Sequence, residues 1–233
     1  MNRNYLIETP SFDHQDQVRQ AAFHEAGHAV SIYLYSQRNS LPAVFSQITT
    51  KELCNNKIFS ECLNPSSNHY AAKIEGSQLI QSLPSSLLES RNNFTARDQQ
   101  TYQAAYETDI VNLLVGPLVE AKYVALRDNE TFNPLLINVS ALKYYGGISD
   151  LDSVYDYLYH FIANKQEREQ KLAALFEKAF LFVNDPANWK TIASLASYIL
   201  NNKNKNIICE EAFTVLDKSV ALLATVINKP TLQ

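Results

Sequence analysis

Two histidines and a glutamate stand close together near the start of the chain, in residues 24–28 (HEAGH). If this segment is helical, His24 and His28 lie one turn apart with Cβ atoms about 5–6 Å from each other, so two imidazole nitrogens can bind one metal ion. Glu25 then projects beside them. The HExxH pattern is typical of zinc hydrolases, in which the glutamate accepts a proton from a water molecule whose pKa the metal lowers to about 7. The sequence therefore predicts Zn2+ as cofactor, with His24 and His28 as ligands and Glu25 as general base.

The alternative is that these histidines are ordinary surface or core residues of a helix. The chain has only 5 histidines in 233 residues, so chance is a poor explanation of their spacing. Small residues also flank the motif and allow other elements to pack close to it. They are Ala21, Ala22, Ala26, Gly27 and Ala29. Both observations favour a functional site.

The composition limits the class of protein. A chain of 233 residues with 46% hydrophobic content can bury one substantial core, which predicts a single domain over residues 1–233. The net charge of −4 and the lack of a basic block argue against a nucleic-acid partner. The apolar runs are shorter than the about 20 residues of a membrane span, and the first residues do not resemble a signal peptide, so we expect a cytoplasmic protein.

Cys54, Cys62 and Cys209 form no CxxC pair and are expected to be free thiols.

Hydrophobic periodicity predicts a mainly α-helical domain, a helical bundle with a small β element after the histidine helix. Residues 1–12 form an irregular lead-in, residues 14–37 a helix with the histidine motif at the border of its buried face, and residues 41–50 a strand. Residues 51–93 are predicted to be an irregular, loop-rich insertion with short strand candidates, one of them at residues 70–75. Further helices are expected at residues 165–183, from residue 186 to 200 and at 209–227, with a solvated linker at residues 201–206.

A long apolar helix is predicted at residues 95–127. The pair Gly116-Pro117 interrupts its pattern, because a proline removes a hydrogen bond and crowds the preceding turn, so we expect a kink or a break there. Glu120 follows one turn later on a mostly apolar segment, where a carboxylate needs a partner. Two alternatives remain open for it: an outer acceptor for one of the histidines, or a structural ion pair.

A second stretch, which contains carboxylates that could bind a metal, begins at Gly146 and Gly147. Ser149, with Asp152 three residues later, is typical of a turn that opens a helix. The apolar residues of this helix place Asp150 toward the interior and Asp152 toward solvent. Asp150 is thus available to a site in the core.

A catalytic zinc usually has three protein ligands. A metzincin would need glycine at position 31 and histidine at position 34, where this chain has Ser31 and Leu34. A thermolysin-like enzyme would use a glutamate from a following helix, but the neighbourhood of Glu52 does not indicate a helix. The other histidines, at positions 14, 69 and 160, lie in polar or outward positions and are not expected to be ligands.

Three segments together resemble the peptidase domain of FtsH-type ATP-dependent zinc proteases. Residues 23–30 (FHEAGHAV) resemble that family's HEAGHA signature, residues 114–121 (LVGPLVEA) its GGRxAEE helix, and residues 147–151 (GISDL) its GASNDL turn. The resemblance implies a zincin-like peptidase fold, with His24, His28 and Asp150 as zinc ligands and Glu25 as base. Pro117 stands where the family has arginine, and the shorter turn leaves Asp152 as an alternative to Asp150. Because these 233 residues contain no AAA ATPase motif and no apolar run long enough for an anchor, we expect a stand-alone peptidase domain.

The sequence therefore predicts a soluble zinc metallopeptidase that hydrolyses flexible or unfolded polypeptides. A homo-oligomer or a separate ATPase is a possible partner. The alternative is a peptide-binding or regulatory module that keeps the fold and does not cleave. A purely structural metal is a third alternative, although structural zinc sites are usually closed and rich in cysteine.

Overall fold

The computed structural model describes residues 14–39, 47–50, 72–75, 79, 95–204 and 206–227. These residues form mainly α-helices and a small sheet, as predicted. The α-helices are α1 (His14–Asn39), α2 (Ala96–Arg127), α3 (Ile148–Phe161), α4 (Lys165–Asn184), α5 (Pro186–Asn201) and α6 (Cys209–Ile227). The 3-10 helix Val139–Tyr144 lies between α2 and α3 and was not predicted.

Helices α1 and α2 form the central pair of the bundle. The apolar face predicted for α1 is buried, including Ala26, Ala29 and Val30 at 0% exposure. The two helices come very close at Gly27, where an added Cβ would lie 3.4 Å from the Cα of Gly116. Small residues in the motif therefore serve helix packing, because they let the backbone of α2 approach α1.

Helix α2 continues through Pro117 without a break from Ala96 to Arg127. Of the kink or break expected at Gly116-Pro117, the break does not occur. Residues on both sides of the proline are buried in the core, namely Leu114, Val115, Leu118 and Val119. Their burial offsets the about 3 kcal/mol that a proline costs inside a helix, since tertiary packing supplies most of the stability of a helix in a protein.

The sheet has the order β2-β1-β3, with β1 (Gln47–Thr50) in the centre and both pairings antiparallel. Ile48 of β1 lies opposite Ile74 of β2 (Ala72–Glu75) and Ile207 of β3 (Asn206–Ile208). Strand β1 falls in the predicted strand at residues 41–50, and β2 falls in the candidate at residues 70–75.

Strand β3 is a correction, because residue 206 was assigned to a solvated linker. Only Ile207 is buried in it, while the residues on either side are exposed. Three residues are too short to show an alternating pattern in the sequence. Apart from Leu79, the rest of the insertion predicted at residues 51–93, with Cys54, Cys62, His69 and Glu52, lies outside the described residues, as does the lead-in at residues 1–12.

The C-terminal helices follow the prediction to within one or two residues. The side chain of Asn164 accepts hydrogen bonds from the first turn of α4, and that of Asp185 does the same for α5, which begins with Pro186. These are preferred residues at helix starts. No helix in the described part of the chain is long and apolar enough to cross a bilayer. The extent of the domain, residues 1–233, stays a prediction.

Candidate metal centre

The three predicted ligands lie together between α1 and α3. The Nε2 atom of His24 is 3.2 Å from Oδ2 of Asp150, and the Nε2 atom of His28 is 3.6 Å from Oδ1 of the same carboxylate. One ligand atom from each of the three residues lies within 4.8 Å of the other two. Tetrahedral zinc ligation at about 2.0–2.1 Å sets ligand atoms about 3.3 Å apart. The two separations, each to a different oxygen of Asp150, are close to this distance.

Asp150 owes its position to the start of α3. The helix begins at Ile148: Gly147 is the N-cap, without a capping side chain, and its oxygen accepts the N–H of Leu151 at 3.0 Å. Ser149, which the sequence placed in the turn that opens the helix, lies inside its first turn. Because the chain turns at Gly146, with a φ of 69°, Asp150 lies in the first turn against α1. Its side chain is 14% exposed, whereas Asp152 is exposed to solvent, as expected.

Both histidines are fixed through the nitrogen that does not face Asp150. The Nδ1 atom of His24 is 2.9 Å from Oε2 of Glu120, and the Nδ1 atom of His28 is 2.8 Å from the main-chain oxygen of Asn112. A carboxylate and a carbonyl oxygen only accept hydrogen bonds, so Nδ1 carries the proton in both rings. In the neutral ring the lone pair of Nε2 is then free for a metal. Of the two alternatives for Glu120, the contact with a histidine is the one that the structure contains.

Asn112 is a residue that the sequence analysis missed. Its main-chain oxygen holds His28, and its side-chain oxygen accepts a hydrogen bond from the hydroxyl of Ser31 at 2.5 Å. Asn112 is 3% exposed, and its Nδ2 atom has no hydrogen-bond partner in the described part of the chain. The sequence carries no signal for the contact with His28, since every residue has a carbonyl group.

Glycines line the site where a side chain would displace a ligand. A Cβ on Gly116 would lie 2.2 Å from Nε2 of His28, and one on Gly146 would lie 2.7 Å from Oε2 of Glu120. A Cβ on Gly147 would lie 2.7 Å from Cβ of Pro117. Real contacts of this kind are not found below 3.0 Å, so all three positions require glycine in this arrangement. Three of the chain's five glycines therefore have a steric reason for their positions around the site.

Glu25 is buried at 9% exposure beside the histidines. Its Oε2 atom accepts a hydrogen bond of 2.6 Å from the main-chain N–H of Ile74 in β2. This contact joins α1 to the sheet across 49 positions of the chain. Ile74 was not identified from the sequence, because every residue except proline has a main-chain N–H, and the residue type therefore does not indicate this contact.

The charges around the site favour a cation between the imidazoles and the carboxylate. Burial by itself lowers the pKa of His24, but hydrogen bonds to Asp150 and Glu120 and the charges of Asp150 and Glu25 raise it well above its usual value of 6.5. Burial by itself raises the pKa of Asp150, but the charge of His28 and the hydrogen bond to His24 lower it. Positive charge is thus stabilised here, and a divalent cation would supply it.

The remaining candidates lie elsewhere. His160 is exposed and its Nδ1 atom contacts the main-chain oxygen of Asp156 in its own helix at 2.7 Å. His14 is the first residue of α1, ten positions before His24. His160 therefore lies outside the group formed by His24, His28 and Asp150. The residues present fit zinc: two imidazoles and one carboxylate form a catalytic donor set, which leaves a coordination position for a reactant.

No established family profile matches the chain, and searches of curated proteins and of solved structures return no match. The resemblance to FtsH-type peptidases therefore rests on the three motif segments alone.

Proposed function

We propose that this protein is a zinc-dependent metallopeptidase with a zincin-like fold of the FtsH peptidase type. The observation that carries the proposal is the convergence of His24, His28 and Asp150, with both Nδ1 atoms fixed so that both Nε2 atoms are directed to Asp150. Glu25 follows His24 directly and is buried beside the ligands. A binding role alone would place no demand on this carboxylate, so its presence favours an enzyme.

Zinc, when bound, supplies a Lewis acid that lowers the pKa of water to about 7 and polarises a peptide carbonyl. Glu25 acts as the general base: its carboxylate takes a proton from the attacking water and delivers it to the leaving nitrogen. Glu120 and the carbonyl of Asn112 keep the two imidazoles in the orientation that exposes Nε2. Gly116 and Gly146 leave the space that these rings need.

The substrates in this proposal are flexible or unfolded polypeptides, which are able to enter a site enclosed by α1, α3 and β2. A separate ATPase that unfolds proteins, or a homo-oligomer, would be the partner, by analogy with the family that the motifs resemble. We also propose that the protein is cytoplasmic and that residues 1–233 form one domain.

The test has two steps. First, purified protein is loaded with zinc and its metal content is measured; wild type and the Glu25→Gln variant are both expected to hold one zinc, because Glu25 is not a ligand. Second, cleavage of an unstructured protein is followed, and Glu25→Gln is expected to lose a factor of about 100 to 10,000 in rate. Equal turnover by the variant refutes the role of Glu25, and failure to bind zinc refutes the whole proposal. Binding of zinc and peptide without any cleavage indicates the non-cleaving module instead.

A further inference from the structure

The partner of Glu25 is a main-chain group, not a side chain. A buried carboxylate needs a hydrogen-bond donor to offset its loss of hydration, and the N–H of Ile74 supplies one at 2.6 Å from Oε2. A hydrogen bond between an N–H group and a charged carboxylate is short and strong compared with a neutral one. It fixes one of the two carboxylate oxygens in space and leaves the other, Oε1, for chemistry.

The direction of this N–H follows from the pairing of β2. In an antiparallel ladder, residues alternate between those whose N–H groups point to the partner strand and those whose N–H groups point away. Since the N–H of Ile74 bonds to Glu25, Ile74 belongs to the second kind, and so does Ala72 two positions earlier. Strand β2 is an outer strand in the described sheet, so this side of it is directed to α1 and not to β1.

We propose that the outer edge of β2 positions the general base: the N–H of Ile74 holds Oε2 of Glu25 and thereby directs Oε1 to the reacting water. This inference rests on the proposed function and adds a positioning group to it. A main-chain donor suits the task, because it carries no net charge that would neutralise the base and has no side-chain rotamers of its own. The strand itself is anchored, since Ala72 is 7% exposed and Ile48, opposite Ile74, is fully buried.

Removal of the N–H tests the inference. Ile74→Pro removes the donor from a position where the ladder does not use it, which is where an edge strand tolerates proline. Ile74→Ala loses the side chain and keeps the donor. Ala72→Pro places the same proline on the same edge, two residues from the contact with Glu25. These two variants are the matched controls.

In zinc-loaded protein, Ile74→Pro is expected to lower kcat by a factor of about 10 to 100, because a displaced base loses its alignment. KM and zinc content should stay within about twofold of wild type. Ala72→Pro is expected to keep kcat within about threefold, and Ile74→Ala, which keeps the donor, is expected to lose less kcat than Ile74→Pro. A kcat for Ile74→Pro equal to that of its controls overturns the inference, and so does an equal loss in all three variants, which would indicate damage to the strand.

A second measurement does not depend on activity or on the folding of a proline variant. Exchange of the Ile74 amide hydrogen is followed by nuclear magnetic resonance in wild type, Glu25→Gln and Glu25→Ala. Glutamine keeps an acceptor oxygen, so exchange should remain slow, whereas alanine should speed it by about tenfold or more. Equal exchange in Glu25→Ala and wild type overturns the contact. If zinc-loaded wild type does not cleave, the proposed function fails; if it cleaves and Ile74→Pro keeps its kcat, only the role of β2 fails.

Discussion

Gly116 of α2 lies directly against the imidazole of His28 on α1: a Cβ on this glycine would come within 2.2 Å of Nε2, the atom that faces Asp150. The His28 ring therefore occupies the space in which any other residue at position 116 would carry its side chain. The same ring donates its Nδ1 proton to the carbonyl of Asn112, one turn earlier on α2. Helix α2 thus provides both the space for His28 and the acceptor that orients it.

Gly116→Ala is expected to lower zinc affinity by a factor of about 10 to 100 or more, because His28 must rotate away from the added methyl group. Overpacking should also lower the free energy of unfolding by about 1–3 kcal/mol, less what alanine gains in helix propensity. Zinc affinity is measured by competition with a chelator, and stability by urea denaturation.

Gly27→Ala provides the comparison for this variant. Its Cβ would meet the side chain of Val119 at 2.9 Å and not a ligand. It should therefore reduce stability more than zinc affinity, and adding Val119→Ala should restore part of the stability. If Gly116→Ala and Gly27→Ala lose zinc equally, the steric explanation for Gly116 is wrong.

Glu120→Ala is expected to reduce zinc affinity by a factor of about 10 to 100, since the Nδ1–H group of His24 loses the acceptor that fixes the ring. Glu120→Gln keeps a neutral acceptor and should lose less. Glu130→Gln changes an exposed glutamate near the end of the same helix and serves as the control for the change in net charge. Isothermal titration with zinc measures all three. Unchanged affinity in Glu120→Ala would contradict a role for this contact in the site.

Asp150→Asn is expected to abolish tight zinc binding, because the amide is a much weaker ligand than the carboxylate that lies 3.2 Å and 3.6 Å from the two Nε2 atoms. Asp152→Asn removes the same charge from the same helix turn at an exposed position and should bind zinc as wild type does. Zinc content after gel filtration measures both. The opposite ranking of the two variants would assign the third ligand to Asp152.

Glu107 contributes a pH-dependent part of the stability. Burial by itself raises its pKa, but hydrogen bonds from Lys171 and Gln103 and the charges of Lys171 and Lys178 lower it below the usual 4.5. Since the folded state has the lower pKa, this contribution is present above about pH 4.5 and is lost as the pH falls through the folded-state value. The lysines are partly exposed, so we expect only about 0.5–1 kcal/mol.

Urea denaturation of wild type and Glu107→Gln measures this contribution. The difference between them should be present at pH 7 and shrink as the pH falls through the lowered folded-state pKa of Glu107. A difference that grows toward acid pH would contradict the direction of the pKa shift.

Much of the fold was predictable because helices leave a local signal. The period of 3.6 residues marked α1 and the helices from α4 onward. In the structure Asn164 and Asp185 cap the starts of α4 and α5. The break expected at Pro117 does not occur, since local propensity is overridden where both flanks of a proline are buried. Strand β3 was missed because a three-residue strand depends on its partner β1 and has no period of its own.

The sequence by itself determined the ligand types and their local geometry: one helical turn sets His24 beside His28, and the apolar face of α3 directs Asp150 inward while Asp152 remains in solvent. Only the tertiary structure decided which of the two alternatives for Glu120 holds, and only it provided the carbonyl of Asn112 and the N–H of Ile74. The physical reason is that side-chain types and their periodicity can be read from the sequence, whereas main-chain donors and acceptors are common to nearly all residues and are not distinguished by it. Which of these meet a given side chain across 49 or 84 positions depends on how helices and strands pack.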